Sequence, residues 1–242
     1  MASGIPQYSQ LAKYYDYIYR WKDYRKEATI IRGLIRKHKR SDGRALLDVG
    51  CGTGKHLQYL RRSFDCVGVD ASGEMLRVAR RNASGIEFVE SGMTDFRLGR
   101  QFDVVLCLFS SIGYLRTRSE VKKAIFNFSE HMRQGAVLIV EPWFEKSDWT
   151  RGSVHMRTYD AGGLKIARVG FSDVDGDFAI ADESYLIAER GKGTTYVRDV
   201  QKLRFFESDW TIETMRRAGL RSAFSKETLM PGRRLMIATK AP

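Results

Sequence analysis

Apolar and polar positions follow two rhythms along this chain, and the rhythm changes near Lys146. Before that point, short apolar runs alternate with helical stripes. The runs are 45–49, 66–69, 86–90, 102–108 and 136–140, each short enough for a buried strand. Ala28, Ile31, Leu34 and Ile35 fall on one side of a helix over residues 23–40. Leu57 and Leu60 turn inward behind the first strand. Ser72 caps a helix marked by Met75, Leu76 and Ala79, and a further helix covers 118–132. Strands alternating with helices predict a parallel sheet covered on both faces, with ligands at the carboxyl ends of its strands.

After Lys146 the period falls to two. Residues 154–159, 164–169, 178–180, 183–187 and 196–200 alternate without helical stripes. Gly162-Gly163, Asp175-Gly176 and Gly191-Lys192-Gly193 punctuate them as turns. This predicts an antiparallel sheet inserted into the α/β fold. A helix from Ser208 through Ala218-Gly219-Leu220 and a strand over 235–239 follow. The expected organisation is an α/β domain of residues 1–145 and 207–242, with an N-terminal helical cap. The inserted sheet, 146–206, is expected to line a substrate pocket.

Length and composition narrow the class. A chain of 242 residues can bury a full core. No run approaches the roughly 20 apolar residues of a membrane span. The N-terminal MASGIPQYSQ carries no apolar signal region. Cys51, Cys66 and Cys107 read as buried thiols in a reducing cytoplasm, and no Cys/His spacing points to a metal. The formal net charge is +12. A solvated surface is the first reading, attraction to an anionic small substrate the second, and nucleic acid the third. No nucleic-acid motif supports the last. A homodimer is compatible with these features.

The chemistry concentrates between Ala45 and Asp70. The first strand runs into Gly50-Cys51-Gly52-Thr53-Gly54, a helix follows, and the second strand ends on Asp70. Glycines let the backbone turn tightly and approach a ligand. An acid about twenty residues on can accept from both hydroxyls of a ribose. A dinucleotide site wants G-x-G-x-x-G. Here the spacing is Gly50-x-Gly52-x-Gly54, with Asp48 two residues ahead. This D-x-G-x-G-x-G stretch resembles the motif of class I S-adenosylmethionine (AdoMet) methyltransferases, which implies a Rossmann-like, mostly parallel seven-stranded sheet and AdoMet as cofactor.

Three further segments, Asp95–Leu115, Val140–Phe144 and Gly219–Ala238, resemble the N,N-dimethyltransferases of dTDP-linked 3-amino-3,6-dideoxyhexoses. That resemblance implies methyl transfer to the amine of a nucleotide-linked sugar. It implies that Gly50, Gly52 and Gly54 cradle the methionine part, Asp70 holds the ribose, Met93 packs near the adenine, and Leu108 packs near the adenine or the sulfonium. Tyr24, Asp48, Cys51, His56, Ala71, Met75 and Gly92 complete the expected cofactor set. The family places Asp directly before the methionine at 93, whereas this chain has Gly92, so Ser91, Asp95 or a backbone carbonyl must serve the adenine amine. Tyr19, Arg20, Trp143, Ser172 and Arg233 are expected to bind substrate, Arg233 at the diphosphate. Tyr114, Tyr8 and His155 are the candidates for a base. Methylation of another amine or hydroxyl, and RNA modification, remain the alternatives. Against RNA, the fourth strand exits into Leu108-Phe109-Ser110-Ser111 rather than an N-P-P-Y-type motif.

Overall fold

A computed structural model describes residues 8–241. A 3-10 turn at Ala12–Tyr14 leads into α1 (Tyr15–Ile18) and α2 (Tyr24–His38). There follow β1 (Ala45–Val49), α3 (Lys55–Leu60), β2 (Asp65–Asp70), α4 (Gly73–Asn82), β3 (Glu87–Glu90), β4 (Phe102–Cys107), α5 (Arg118–Glu130) and β5 (Met132–Val140). The second sheet holds β6 (Val154–Ala161), β7 (Leu164–Asp175), β8 (Phe178–Glu189) and β9 (Gly193–Arg204). The chain ends with α6 (Ser208–Arg217), β10 (Leu220–Phe224) and β11 (Met236–Lys240).

The larger sheet has the order β10-β11-β5-β4-β1-β2-β3. Strands β1 to β5 pair in parallel, and β11 and β10 complete the edge antiparallel. Strand alternation sends neighbouring residues to opposite faces. Leu46, Val104 and Ile139 pack with α2, α3 and α4, while Leu47, Val105 and Leu138 pack with α5 and α6. The chain order reverses between β1 and β4, the switch point at which such sheets bind ligands.

The four-stranded meander β6-β7-β8-β9 is a separate antiparallel sheet. Its inner face packs Ile166, Tyr185, Ile187 and Val197 against Leu11 and Ile18 of the N-terminal segment. Three differences from the sequence pattern have local causes. Residues 178–180 and 183–187 are one strand, because Asp182 interrupts the apolar run but pairs with Arg198 on the exposed face. Strand β5 begins at Met132, earlier than the apolar run, across an irregularity in its pairing with β4. Strand β10 has no apolar run of its own, being an edge strand with alternating exposure.

Candidate active site

The glycine turn after β1 closes directly onto the exit of β4. Gly50 has φ +74°, and a Cβ there would lie 2.6 Å from the Ser111 Cβ. Only glycine lets the two loops meet at this distance. The Gly52 N–H donates to Asp70 Oδ2 at 2.8 Å and the Ser72 N–H to Asp70 Oδ1 at 2.9 Å. The Asp70 carboxylate is thus clamped from both sides at the tip of β2. Burial raises its pKa, against those two N–H bonds. Gly54 has another role: it stands left-handed before α3, where a Cβ would come 3.2 Å from the Ala79 Cβ.

These elements border a cleft, the concave setting in which small-molecule sites are found. Asp70, Ala71, Met75, Met93 and Leu108 line one part of it. Gly92 does not, but its neighbours Ser91 and Met93 do. The Asp95 carboxylate turns to the Thr94 hydroxyl at 2.6 Å, leaving Ser91 as the polar side chain of that turn in the wall.

Asp48, Cys51, His56 and Tyr24 line the same cleft. Burial raises Asp48 to a pKa of about 6, with Asp70 adding to the shift and His56 opposing it. The His56 Nε2 lies 2.7 Å from Glu27 Oε2, and buried Lys22 donates to Glu27 Oε1. Burial acts to raise the Glu27 pKa, but His56 and Lys22 outweigh it and hold the carboxyl below its usual range. Lys22 and Glu27 are invisible to pattern reading, since both sit among charges that an amphipathic helix would expose. Burial pushes the Cys51 and Cys107 thiols up, so neither is a nucleophile at neutral pH.

Tyrosines roof the cleft. Ser72 Oγ donates to the Tyr8 carbonyl, and the Tyr8 hydroxyl donates to the Tyr114 hydroxyl at 2.6 Å. The N-terminal segment therefore spans from the tip of β2 to the exit of β4. Asp16 fastens its base, accepting from Thr53 Oγ1 at 2.6 Å and Asn82 Nδ2 at 2.8 Å. Tyr8 and Tyr15 both line the cleft. The segment is a wall of the cleft, and Tyr15, Thr53, Lys55 and Phe109 join the expected residues there.

Several expected residues lie elsewhere. His155 is on β6, where its Nε2 meets Glu183 Oε1 at 3.0 Å; Glu183 also pairs with Arg168, whose guanidinium lies over Tyr19. The candidate base is thus hydrogen-bonded to Glu183 on the second sheet and is not among the residues lining the cleft. Arg20 is exposed and stacks on Tyr159 in an outer groove, apart from Arg233. Tyr19 packs edge-on against Phe109, 5.3 Å between centroids, one ring back from the cleft. Ser172 is buried on β7, and its strand partner Ala181 pairs in turn with Gln201 on β9.

Trp143 and Arg233 do come together. The Arg233 guanidinium lies 4.6 Å from the Trp143 ring, 5.0 Å from Phe144 and 5.4 Å from Phe109. Among the described residues neither Arg233 Nε nor Trp143 Nε1 has an acceptor, although both atoms are buried. Burial lowers the Arg233 pKa, while the Glu141 carboxylate opposes that shift.

A family described as a methyltransferase domain matches residues 46–135. The dTDP-3-amino-3,6-dideoxy-alpha-D-glucopyranose N,N-dimethyltransferase of Streptomyces fradiae is 35% identical over 92% of this chain and 86% of its own length. The dTDP-3-amino-3,4,6-trideoxy-alpha-D-glucopyranose N,N-dimethyltransferase of Streptomyces venezuelae is 36% identical over 87% of this chain and 90% of its own. A solved, SAM-bound amino pentose methyltransferase from Micromonospora echinaspora superposes with a TM-score of 0.82 at 32% identity, covering 92% of this chain and 93% of that one.

Proposed function

This chain belongs to the family of the dTDP-amino-sugar N,N-dimethyltransferases, and from that premise we propose that it methylates the amine of a nucleotide-linked amino sugar with AdoMet as donor. The observation that carries the reading is the clamped Asp70 carboxylate facing the same cleft as the glycine turn, at the switch point of the sheet.

The residues present fit AdoMet. The backbone at Gly50 and Gly52 is bare of side chains, so a ligand can approach the turn closely, while the Gly50 and Gly52 N–H groups themselves are held by the Val69 carbonyl and Asp70. Asp70 would take the ribose hydroxyls, and Met75, Met93 and Leu108 would enclose the adenine and thioether carbons. Asp48 and the Lys22–Glu27–His56 group would face the charged amino-acid end. Bound AdoMet supplies an electrophilic methyl group on a sulfonium. The chain's own task is then orientation and exclusion of water, worth up to roughly 7–11 kcal/mol in well-aligned systems. The strap from Ser72 to Tyr114 covers the cleft. Burial pushes the Tyr8 and Tyr114 phenols above their ordinary range, so both are neutral at physiological pH and neither is a phenolate base.

Arg233 supports an anionic acceptor. Its Nε and the Trp143 Nε1 are buried donors awaiting acceptors, and a diphosphate supplies several. The basic surface serves this small anion in the proposal, rather than a polynucleotide. A cytoplasmic setting is part of the same reading; no described helix is long and apolar enough to cross a bilayer. The test combines calorimetry with AdoMet and mass spectrometry of products from dTDP-, UDP- and GDP-amino sugars, with RNA as control. Addition of one or two methyl groups to a sugar nucleotide is expected. Absence of AdoMet binding, or methylation of RNA alone, would overturn the reading.

A further inference from the structure

The inserted sheet is hydrogen-bonded to the roof of the cleft at the hydroxyl of Tyr114. Three hydrogen bonds run in series from it. Gln201 Nε2 donates to Asp199 Oδ2, Tyr114 Oη donates to Gln201 Oε1, and Tyr8 Oη donates to Tyr114 Oη, each at 2.6 Å. Asp199 and Gln201 stand two apart on β9, so both face inward, in phase with Val197 and Leu203. Asp199 is fully buried.

The direction of each bond follows from the one before it. A buried carboxylate takes donors, so the Gln201 amide turns its NH2 to Asp199 and its carbonyl to Tyr114. That carbonyl takes the Tyr114 proton. The Tyr114 oxygen then accepts from Tyr8. Every proton in the series points toward β9, and both tyrosines line the cleft.

We propose that Gln201 and Asp199 are positioning residues that fix this direction, so that Tyr8 and Tyr114 meet the acceptor amine as hydrogen-bond acceptors. The inference rests on the N-methylation reading above. An amine attacks through its lone pair. A phenol O–H aimed into the cleft would hydrogen-bond that lone pair and hold it from the methyl group. A phenol oxygen presenting its own lone pair instead takes the amine N–H and leaves the nucleophilic pair free. The sequence pattern carries the signal only faintly, as two polar residues at inward positions of a strand.

Gln201→Leu tests this by removing the carbonyl and freeing the Tyr114 proton. We expect kcat to fall about tenfold, the worth of one directed hydrogen bond, with the AdoMet Kd changed by less than about twofold. In a Tyr114→Phe background the same change should have little further effect on kcat, because the proton it releases is already gone. Equal losses in both backgrounds would mean a merely structural role and overturn the inference. A substrate-independent measurement accompanies it: with 13Cζ-labelled tyrosine, the Tyr114 resonance of the full-length protein should move in Gln201→Leu while that of Tyr24 stays. An unmoved Tyr114 resonance would overturn the inference even if the enzyme is active. A wild-type protein that methylates no sugar nucleotide would instead overturn the functional reading, with the resonance still deciding this one.

Discussion

The Glu141 carboxylate accepts the backbone N–H of Phe109 at 2.7 Å, joining the carboxyl ends of the adjacent parallel strands β5 and β4. The bond fixes an unusual exit. Phe109 and Ser110 have φ of 50° and 62°, the left-handed region that costs a non-glycine residue about 1–2 kcal/mol. Ser110 adds two bonds, from its N–H to the Glu141 carbonyl and from its hydroxyl to that of Pro142. The sharp turn brings Phe109 and Ser111 into the cleft wall and carries Tyr114 to the roof.

Glu141→Ala should therefore loosen the cleft as well as the fold. The Phe109 N–H loses its acceptor, a cost of about 1–3 kcal/mol in denaturant unfolding. AdoMet affinity should fall with it, because the turn no longer holds its conformation. Glu141→Gln keeps a carbonyl for Phe109 and should retain most of the stability. Wild-type stability in the alanine variant would show that the Ser110 bonds suffice.

Asp48 gives a pH signature. Its pKa is raised by burial from 3.8 to about 6. A carboxyl raised on folding stabilises the protein when protonated, in full below about 3.8, and that contribution is lost as pH rises through about 6. Above pH 6 the buried charge is a liability of up to about 3 kcal/mol. Thermal melts of Asp48→Asn should thus exceed wild type at pH 7.5 and converge with it at pH 4. The opposite holds for ligand binding. An ionised Asp48 attracts a cationic cofactor, so wild-type AdoMet affinity should weaken below about pH 6, and Asp48→Asn should bind weakly at every pH. Equal melting curves at pH 7.5 would place the charge in a better solvated site than its burial indicates.

Much of this architecture was legible because it rests on local rules. Apolar runs marked the parallel strands, and the Gly50–Gly54 spacing with Asp48 and Asp70 marked the ligand end of β1 and β2. The less legible parts depend on distant partners. Lys22 and Glu27 look like surface charges until His56, on the next helix, buries them together. His155 could be placed near the acceptor from sequence, and only the fold pairs it with Glu183, 28 positions on, outside the cleft lining. Arg20 and Arg233 both looked available for a phosphate, and only the fold sets one on Tyr159 of the second sheet and the other among Phe109, Trp143 and Phe144. Edge strand β10 was hidden because exposure on one side removes the apolar run that identifies a buried strand.

Arg233 allows a separation of binding from chemistry. It is seated by a tight turn, in which its N–H bonds the Met230 carbonyl at 3.2 Å and the Thr228 hydroxyl donates to the Arg233 carbonyl at 2.7 Å. Gly232 is required beside it, since a Cβ there would fall 2.9 Å from the Phe144 ring. Three rings stack around the guanidinium, so truncation to alanine would empty space as well as remove charge. Arg233→Met keeps most of the volume and removes the charge and the donors. If the group meets the diphosphate, the sugar-nucleotide KM should rise about tenfold or more while kcat changes little, because an interaction remote from the reacting nitrogen is lost equally from ground and transition states. Arg233→Lys should recover only part of the loss, since an ammonium cannot reproduce the planar fork. The AdoMet Kd should stay near wild type in both variants, as Arg233 is not among the residues lining the cleft and lies behind the ring of Phe109. A fall in kcat at unchanged KM would instead make Arg233 a support for the Phe109 turn, acting on the same exit loop that Glu141 holds from the other side.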